Sequence, residues 1–206
     1  CLFHPVFVPE KIAKMPRTCQ NACMFSIEEQ IKVWEDVTAQ PELLHKVANM
    51  NFAEVSEISK LRETWSAEEV GVAIELARAR KSAIGRLDNA KSIVSDVKGV
   101  QQSSSSAVAK WKAKRFEKCE QIFDACCGVG GDLLYLPEQA IGVDIDPLRC
   151  WMANQNTGKK VICEDARTCS ELKTASILLD PTRRDINGRR LDIDHMQPTI
   201  SEVQAI

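Results

Sequence analysis

The stretch FDACCGVGGDLLYLPEQAIGVDID, which runs from Phe123 to Asp146, decides the fold. A short apolar run ends near Asp124, and a second apolar run ends in Asp144, twenty positions later. Three glycines follow closely after Asp124: Gly128, Gly130 and Gly131. Glycines allow the backbone to turn tightly and to approach a ligand closely. The pattern predicts two strands joined through a glycine-rich turn, with a carboxylate at the end of each strand.

The C-terminal half alternates short apolar runs with segments long enough for crossover connections. Four runs are candidate strands: Gln121–Ala125, Ala140–Asp144, Lys160–Cys163 and Ser176–Asp180. Such alternation is typical of a parallel, doubly wound sheet. We therefore expect an α/β fold, with a Rossmann-like domain over residues 101–206 in which four strands are visible.

The acids beside the glycine turn indicate which cofactor it suits. The dinucleotide pattern G-x-G-x-x-G is broken, because Leu133 stands at its third glycine. A carboxylate at Asp124 suits an ammonium group, whereas it would repel the pyrophosphate of NAD. A carboxylate at Asp144 suits the two hydroxyls of a ribose. We expect a helix after the turn, whose first amides favour an anion. S-adenosylmethionine carries all of these groups, and an NAD-dependent oxidoreductase is the less favoured alternative.

Two further strand ends carry candidate site residues. The third predicted strand ends in Cys-Glu-Asp-Ala, where Asp165 is placed to accept from an adenine amino group. The fourth ends in LLDPTRR, so Asp180 and Pro181 begin a loop at the carboxyl edge of the sheet. Ligands of open α/β sheets bind at this edge. We expect this loop to face the reactive methyl group.

Together, DACCGVGGD, GVDIDP, CEDA and LLDPTRR resemble the ordered motifs of class I S-adenosylmethionine-dependent methyltransferases. The resemblance is to the bacterial family with a THUMP-like domain, and more distantly to trimethylguanosine synthase, and it covers about residues 26–200. It implies that Asp180 and Pro181 are catalytic and that Arg183 and Arg184 bind substrate. It implies that the methionine end, ribose and adenine are held by these residues: Asp124, Cys126, Gly128, Gly130, Gly131, Asp144, Ile145, Asp165 and Ala166. Asp132 is expected to stabilise the start of the helix after the turn.

The active-site loop departs from two related patterns. Enzymes that methylate amino groups commonly have a second proline and an aromatic residue here, but this chain has Thr182 and Arg183. RNA carbon-5 methyltransferases need a later nucleophilic cysteine, but no cysteine follows Cys169. Four strands would also leave a hydrophobic edge exposed. We therefore expect the sequence to be a fragment that lacks the last strands.

The N-terminal half has helix signals and lacks the turn signals that bound short strands. Residues 1–25 contain three prolines and are predicted to be an irregular arm, and residues 26–100 a small helical domain. Ser26 and Ser66 each begin a capping box with a glutamate three positions later, and Pro41 suits a first helical turn. Phe52–Leu61 is a further predicted helix. The low-complexity run QQSSSS over 101–106 is predicted to be a turn or linker, with Ser106 capping the next helix.

The composition excludes some partners and leaves the methyl acceptor open. The net charge of −2 gives no overall attraction to polyanions, so an RNA site must be a local patch. Two basic groups are candidates for an RNA-binding rim or are merely solvated faces: Arg183, Arg184, Arg189 and Arg190 in the loop, and Lys110, Lys112, Lys114, Arg115 and Lys118 before the first strand. The resemblance favours RNA. A non-catalytic scaffold that keeps the fold is the other alternative.

The nine cysteines form no paired zinc knuckles, so we predict no metal and reduced thiols in a cytoplasmic protein. No apolar run approaches the length of about 20 residues that a membrane helix needs.

Overall fold

The computed structural model describes residues 25–50 and 54–180, together with positions 184, 185, 188, 189, 199 and 202. The predicted N-terminal arm lies outside these residues, apart from Phe25. None of the helices in the described ranges has the length and apolarity that a membrane span requires.

Four helices form the N-terminal half, and their starts follow the predicted signals. They are α1 (Ile27–Thr38), α2 (Pro41–Ala48), α3 (Val55–Leu61) and α4 (Ala67–Ala83). Both capping boxes are confirmed, since the Ser26 and Ser66 hydroxyls each accept the amide of the third helical residue. Pro41 occupies the first turn of α2. The predicted helix Phe52–Leu61 begins at Val55, and positions 52 and 53 lie outside the described residues.

The run predicted to be a turn or linker contains a short non-helical break, at positions 103–105, between two helices. Helix α5 (Val97–Gln102) precedes the serine run, and α6 (Ser106–Ala113) follows it and continues into a 3₁₀ turn at Lys114–Phe116. The prediction that Ser106 caps α6 is wrong, because Ser105 is the capping residue. Ser106 is buried, and its hydroxyl accepts from the Asp88 amide at 2.8 Å and from the Tyr135 hydroxyl at 2.7 Å. The hydroxyl thus ties α6 to two other parts of the fold.

The predicted α/β fold is confirmed. Four parallel strands form one sheet in the order β3-β2-β1-β4. They are β1 (Ile122–Ala125), β2 (Ile141–Asp144), β3 (Val161–Cys163) and β4 (Ser176–Leu179), each within one residue of its prediction. Helix α7 (Pro147–Thr157) connects β2 to β3, and a 3₁₀ turn at Ser170–Thr174 lies between β3 and β4. A two-stranded antiparallel ladder of β5 (Arg184–Asp185) and β6 (Gly188–Arg189) follows.

The helix expected after the glycine turn is absent from the described residues; only a 3₁₀ turn at Leu133–Tyr135 occupies this place. Pro137 follows closely, and the residue before a proline is disfavoured in a helix. Lys159 is only 6% exposed, and its ammonium donates to the carbonyls of Leu133 (2.9 Å) and Leu136 (2.7 Å). These bonds satisfy carbonyls that a longer helix would have paired internally.

The N-terminal helices pack against α7, which in turn packs against the sheet. Trp34 of α1 and Leu76 of α4 share a buried cluster with Trp151 and Met152 of α7. The Asn156 side chain on α7 accepts from the Val94 amide at 2.8 Å and donates to the Val94 carbonyl at 2.9 Å. The proposed domain boundary near residue 100 stays a prediction, and these contacts show that the two segments share part of one core.

Candidate cofactor site

A cavity of about 920 Å³ opens at the carboxyl edge of the sheet. It lies where the ends of parallel strands bring their side chains together, as the strand pattern predicts. Nine residues predicted to bind the cofactor or to be catalytic line it: Asp124, Cys126, Gly128, Gly131, Asp144, Ile145, Asp165, Ala166 and Asp180. Gly130 is the one predicted cofactor residue among the described positions that does not line the cavity.

The glycine turn is held open by an unusual backbone and by one carboxylate. Cys126, Gly128 and Gly130 all have positive φ, of 64°, 56° and 84°. A cysteine in this region is uncommon and carries local strain, which collects at functional sites. The Asp144 carboxylate accepts the Gly128 amide at 2.8 Å and the Asp146 amide at 3.0 Å. Asp144 therefore fixes the turn against the end of β2.

Gly130 serves packing. A Cβ placed there would lie 2.9 Å from the Thr157 Cγ2 and 3.2 Å from the Ala153 Cα. The absence of a side chain lets the turn approach α7 closely. Gly128 differs, since a Cβ there would meet nothing within 4 Å.

Asp124 is the most unusual group of the site. Its residue is 2% exposed, and its Oδ2 has no hydrogen-bond partner among the described residues. Burial and the nearby Asp132 carboxylate raise the pKa of Asp124 well above its usual range. A buried carboxyl group without a partner is costly, and proton uptake relieves that cost. A cationic group entering the cavity would supply the missing partner.

Asp144 also has a raised pKa, for a related reason. Burial raises it, and the bonds from the Asp146 and Gly128 amides offset this only in part. Both oxygens already accept one hydrogen bond, and a carboxylate oxygen can accept a second. The group is thus able to hold the turn and accept from a ligand hydroxyl together.

Lys112, from α6, bridges two acids across the edge of the sheet. Its ammonium lies 2.8 Å from the Asp132 carboxylate and 2.7 Å from the Asp180 carboxylate. Burial lowers the pKa of Lys112, but the bonds to Asp132 and Asp180 outweigh burial and raise it overall. Asp132 also accepts the Ser104 hydroxyl at 3.1 Å. The expected role of Asp132 at a helix start is wrong, because its side chain makes no cap bond. Lys112 and Ser104 both bind its Oδ2, and its buried Oδ1 has no partner among the described residues.

The predicted adenine contact, Asp165, is held by a neighbouring arginine. Arg167 donates through its backbone amide at 2.9 Å and through its guanidinium, with an Nη2–Oδ2 distance of 2.5 Å. The hydrogen bond from Arg167 is the main cause that lowers the pKa of Asp165. Asp165 is therefore an anion at neutral pH. Ile145, which follows the neighbouring strand β2, is 52% exposed, and Ala166 is buried beside Asp165.

The catalytic loop is described only at its start. Asp180 is exposed and bound to Lys112. Pro181 and Arg183 lie outside the described residues, and only the backbone of Arg184 is described, as part of β5. The predicted substrate contacts of Arg183 and Arg184 therefore stay predictions.

Two cysteines line the cavity without the properties of nucleophiles. Burial raises the pKa of Cys126 to about 12 and that of Cys127 well above its usual range. The thiol, and not the reactive thiolate, is the form present at neutral pH. All six cysteines in the described part are free. Glu164, Cys169 and Glu171 place ligand atoms within 4.8 Å of one another, but both glutamates are exposed and we assign no metal to them.

The helical segment supplies a wall of the cavity that the strand motifs do not reveal. Gly99 of α5 lines it, followed by Ser103 and Ser104. Helix α5 is anchored at its start by Asp96, which accepts two hydrogen bonds of 2.8 Å from Arg149 on α7. The serine run predicted as a linker is therefore part of the site.

No protein-family model matches the chain. Two proteins of Mycobacterium tuberculosis, from strains CDC 1551 / Oshkosh and ATCC 25618 / H37Rv, are each 32% identical over 106 residues, which are 48% of this chain and 29% of the relative. Both are named uncharacterized S-adenosylmethionine-dependent methyltransferases. The chain thus spans less than a third of their length. Two solved structures of the plantazolicin methyltransferase BpumL with SAH are similar at 20% identity, with TM-scores of 0.28 and 0.24. They cover 74% and 70% of this chain, and 49% and 45% of the solved chains.

Proposed function

We propose that this chain carries the S-adenosylmethionine site of a methyltransferase. The observation that carries the proposal is Asp124, a buried carboxyl group that lines the cavity and lacks a partner for its Oδ2 among the described residues. The ammonium of the methionine moiety is the partner that it lacks. The names of the two mycobacterial relatives agree with this choice.

The remaining predicted residues fit the rest of the cofactor. Asp144 faces the cavity where a ribose is expected, and Ile145, Asp165 and Ala166 line the part expected to hold adenine. NAD fits less well, because its pyrophosphate would lie against Asp124 and Asp132. When bound, S-adenosylmethionine supplies an electrophilic methyl group on its sulfonium. The residues of the chain then have to orient it and exclude water.

Calorimetry of the full chain with S-adenosylhomocysteine and with NAD tests the cofactor. We expect the first to bind, and at 100 times its Kd to stabilise the fold by about 2.7 kcal/mol. For a chain of this size that raises Tm by about 5–10 °C. Binding of NAD without binding of S-adenosylhomocysteine would overturn the proposal. Binding without methyl transfer to any acceptor class would favour the scaffold.

We propose RNA as the methyl acceptor, on the family resemblance and on exposed cations. Lys110 is paired with Asp88 at 2.6 Å, and Lys112 is used within the site, so neither is free for phosphate. Lys114, Arg115 and Lys118 are exposed just after α6. These are the cations of this group that are left for a polyanion.

A filter-binding titration separates RNA from other acceptors. Each phosphate contact releases counterions, so affinity for RNA should fall steeply as salt rises. Replacing Lys114 and Lys118 with glutamine should lower affinity and flatten the salt dependence. Transfer of labelled methyl from S-adenosylmethionine to a protein or small molecule, but not to RNA, would contradict this acceptor.

A further inference from the structure

Four cations line the cavity within the described residues, and two of them are neutralised by acids. Arg149 is bound to Asp96 through two hydrogen bonds of 2.8 Å. Arg167 is paired with Asp165 and with Glu202, the latter at 3.0 Å. The other two cations are Arg86 and Lys98, for which no ion pair occurs in the described part of the chain.

Arg86 differs from Lys98 in the burial of its side chain and in the hydrogen bonds that hold it. Lys98 is exposed, whereas Arg86 is half-buried. One nitrogen of the Arg86 guanidinium, Nη2, donates to the carbonyl of Ser103 and, at 3.3 Å, to the carbonyl of Gln101. These carbonyls close the C-terminal end of α5. They fix the guanidinium in place, but they do not neutralise its charge.

The other N–H groups of the Arg86 guanidinium have no acceptor among the described residues. A guanidinium has five donors in a planar fork whose geometry matches a carboxylate. A half-buried arginine that is held by neutral carbonyls and faces a cavity therefore suits an anionic group of a ligand.

The lining of the cavity contains acids from the strands and, from the segment before the sheet, an arginine with no ion pair among the described residues. Asp124 lies in β1 and Asp144 ends β2, and neither offers a cation to a ligand carboxylate. Arg86 lies in the helical segment, next to Ser103 and Ser104. The α-amino acid part of the proposed cofactor is a zwitterion, with an ammonium and a carboxylate on one carbon. Its two charges match an acid and a cation of this lining.

We infer that Arg86 binds the carboxylate of the methionine moiety, while Asp124 binds the ammonium. This inference rests on the proposed cofactor. It assigns to the segment before the sheet a direct part in cofactor recognition, and it explains why this arginine has no acid partner in the described protein.

The test compares two ligands that differ only in that carboxylate. S-adenosylmethionine has it, and decarboxylated S-adenosylmethionine keeps the sulfonium, the adenosine and the ammonium without it. With the full chain, calorimetry should show weaker binding of the decarboxylated ligand by at least about tenfold, as loss of a charge-assisted hydrogen bond predicts. Arg86→Gln should lower the affinity for S-adenosylmethionine by a similar factor and leave the decarboxylated ligand within about twofold.

Two further variants serve as controls. Arg86→Lys keeps the charge without the fork and should fall between the wild type and Arg86→Gln. Lys98→Gln removes the exposed cation and should leave the affinities for both ligands unchanged. Circular dichroism at the assay temperature shows whether each variant is folded.

Each other outcome has a distinct meaning. Equal weakening of both ligands by Arg86→Gln would show that Arg86 only supports the shape of α5, and would overturn the inference. A selective loss in Lys98→Gln alone would overturn it too, by moving the carboxylate to Lys98. If the wild type binds neither ligand, the proposed function itself fails.

Discussion

Replacing Asp124 with asparagine should make the unliganded protein more stable at neutral pH while weakening its cofactor site. Asp124 is 2% exposed, its Oδ2 lacks a partner in the described residues, and burial together with Asp132 raises its pKa well above the usual range. The same carboxyl group in the unfolded chain has a pKa of about 3.9. Between these two pKa values the folded protein holds a proton that the unfolded chain has released.

The sign and the slope follow from this proton. A raised folded-state pKa contributes stability that is complete below the unfolded pKa and is lost as the pH rises through the folded pKa. Over that interval one extra proton in the folded state lowers the free energy of unfolding by about 1.4 kcal/mol per pH unit. Asparagine has nearly the same shape and does not titrate. The difference in stability, Asp124→Asn minus wild type, should therefore grow by about 1.4 kcal/mol per pH unit until the folded pKa is reached.

Urea unfolding of both proteins at several values from about pH 5 to pH 8 measures this difference. Any fixed cost of burying the asparagine amide shifts the difference by a constant and leaves its slope unchanged. Glu28→Gln, at an exposed position of α1, is the control and should follow the wild type. A difference that does not change with pH would refute the assignment of Asp124 as a buried, protonated acid. Calorimetry of the same variant should show loss of affinity for S-adenosylmethionine of at least about tenfold.

Three further substitutions test the frame of the site. Lys112→Met leaves two carboxylates without their cation and should lower the free energy of unfolding, measured in urea, by about 2–4 kcal/mol. Lys110→Met removes an exposed ion pair and should leave this free energy nearly unchanged. Equal losses of stability in the two variants would contradict the difference in burial between the two lysines. Gly130→Ala should lower stability by about 2–4 kcal/mol, because Gly130 has a positive φ and contacts α7. Gly128→Ala should lower it by only about 1 kcal/mol. Equal decreases of Tm in the two variants would contradict the packing role of Gly130. Asp144→Ala should weaken calorimetric binding of S-adenosylhomocysteine at least about tenfold, and an unchanged Kd would refute its role at the ribose.

The strands and the helix starts could be predicted because their signals are local. Each strand is a short apolar run with a turn signal beside it, and the two capping boxes are four-residue patterns. The strand bounds show the limit of this reasoning, because each strand is one residue shorter than predicted. β1, β2 and β3 begin one residue late, and β4 ends at Leu179, just before Asp180, which pairs with Lys112.

The prediction of a helix after the glycine turn failed for a different reason. The apolar residues Leu133 and Leu134 agree with a helix, and the doubly wound pattern of strands favours one. Pro137 was the local signal against it. The second cause is distant: the buried ammonium of Lys159, 26 positions from Leu133, binds the carbonyls that end the turn. No local sequence pattern predicts that contact.

The roles of Lys112 and Arg86 were also hidden by distance along the chain. Lys112 lies 68 positions before Asp180, and Arg86 is 17 positions before the carbonyl that it binds. In the sequence Lys112 is one of five basic residues before β1, and a regular basic run predicts a solvated surface. Its side chain is instead only 16% exposed. Lys112 differs from the rest of the group by its burial, and this burial depends on packing that the sequence pattern does not predict.

The electrostatics of a parallel sheet explain why these two cations come from the helical segment. The carboxyl ends of the strands meet at one edge, so acids that follow different strands converge there: Asp124, Asp132, Asp144 and Asp180. A balancing cation on the strands themselves would fill the cavity that the ligand needs. A cation carried on a separate layer can neutralise the same edge from outside it, as Lys112 does, or can line the cavity without an acid partner among the described residues, as Arg86 does. The acidic edge of the sheet is thus completed by residues of the segment before it, which is why the strand motifs alone describe only part of the cavity lining.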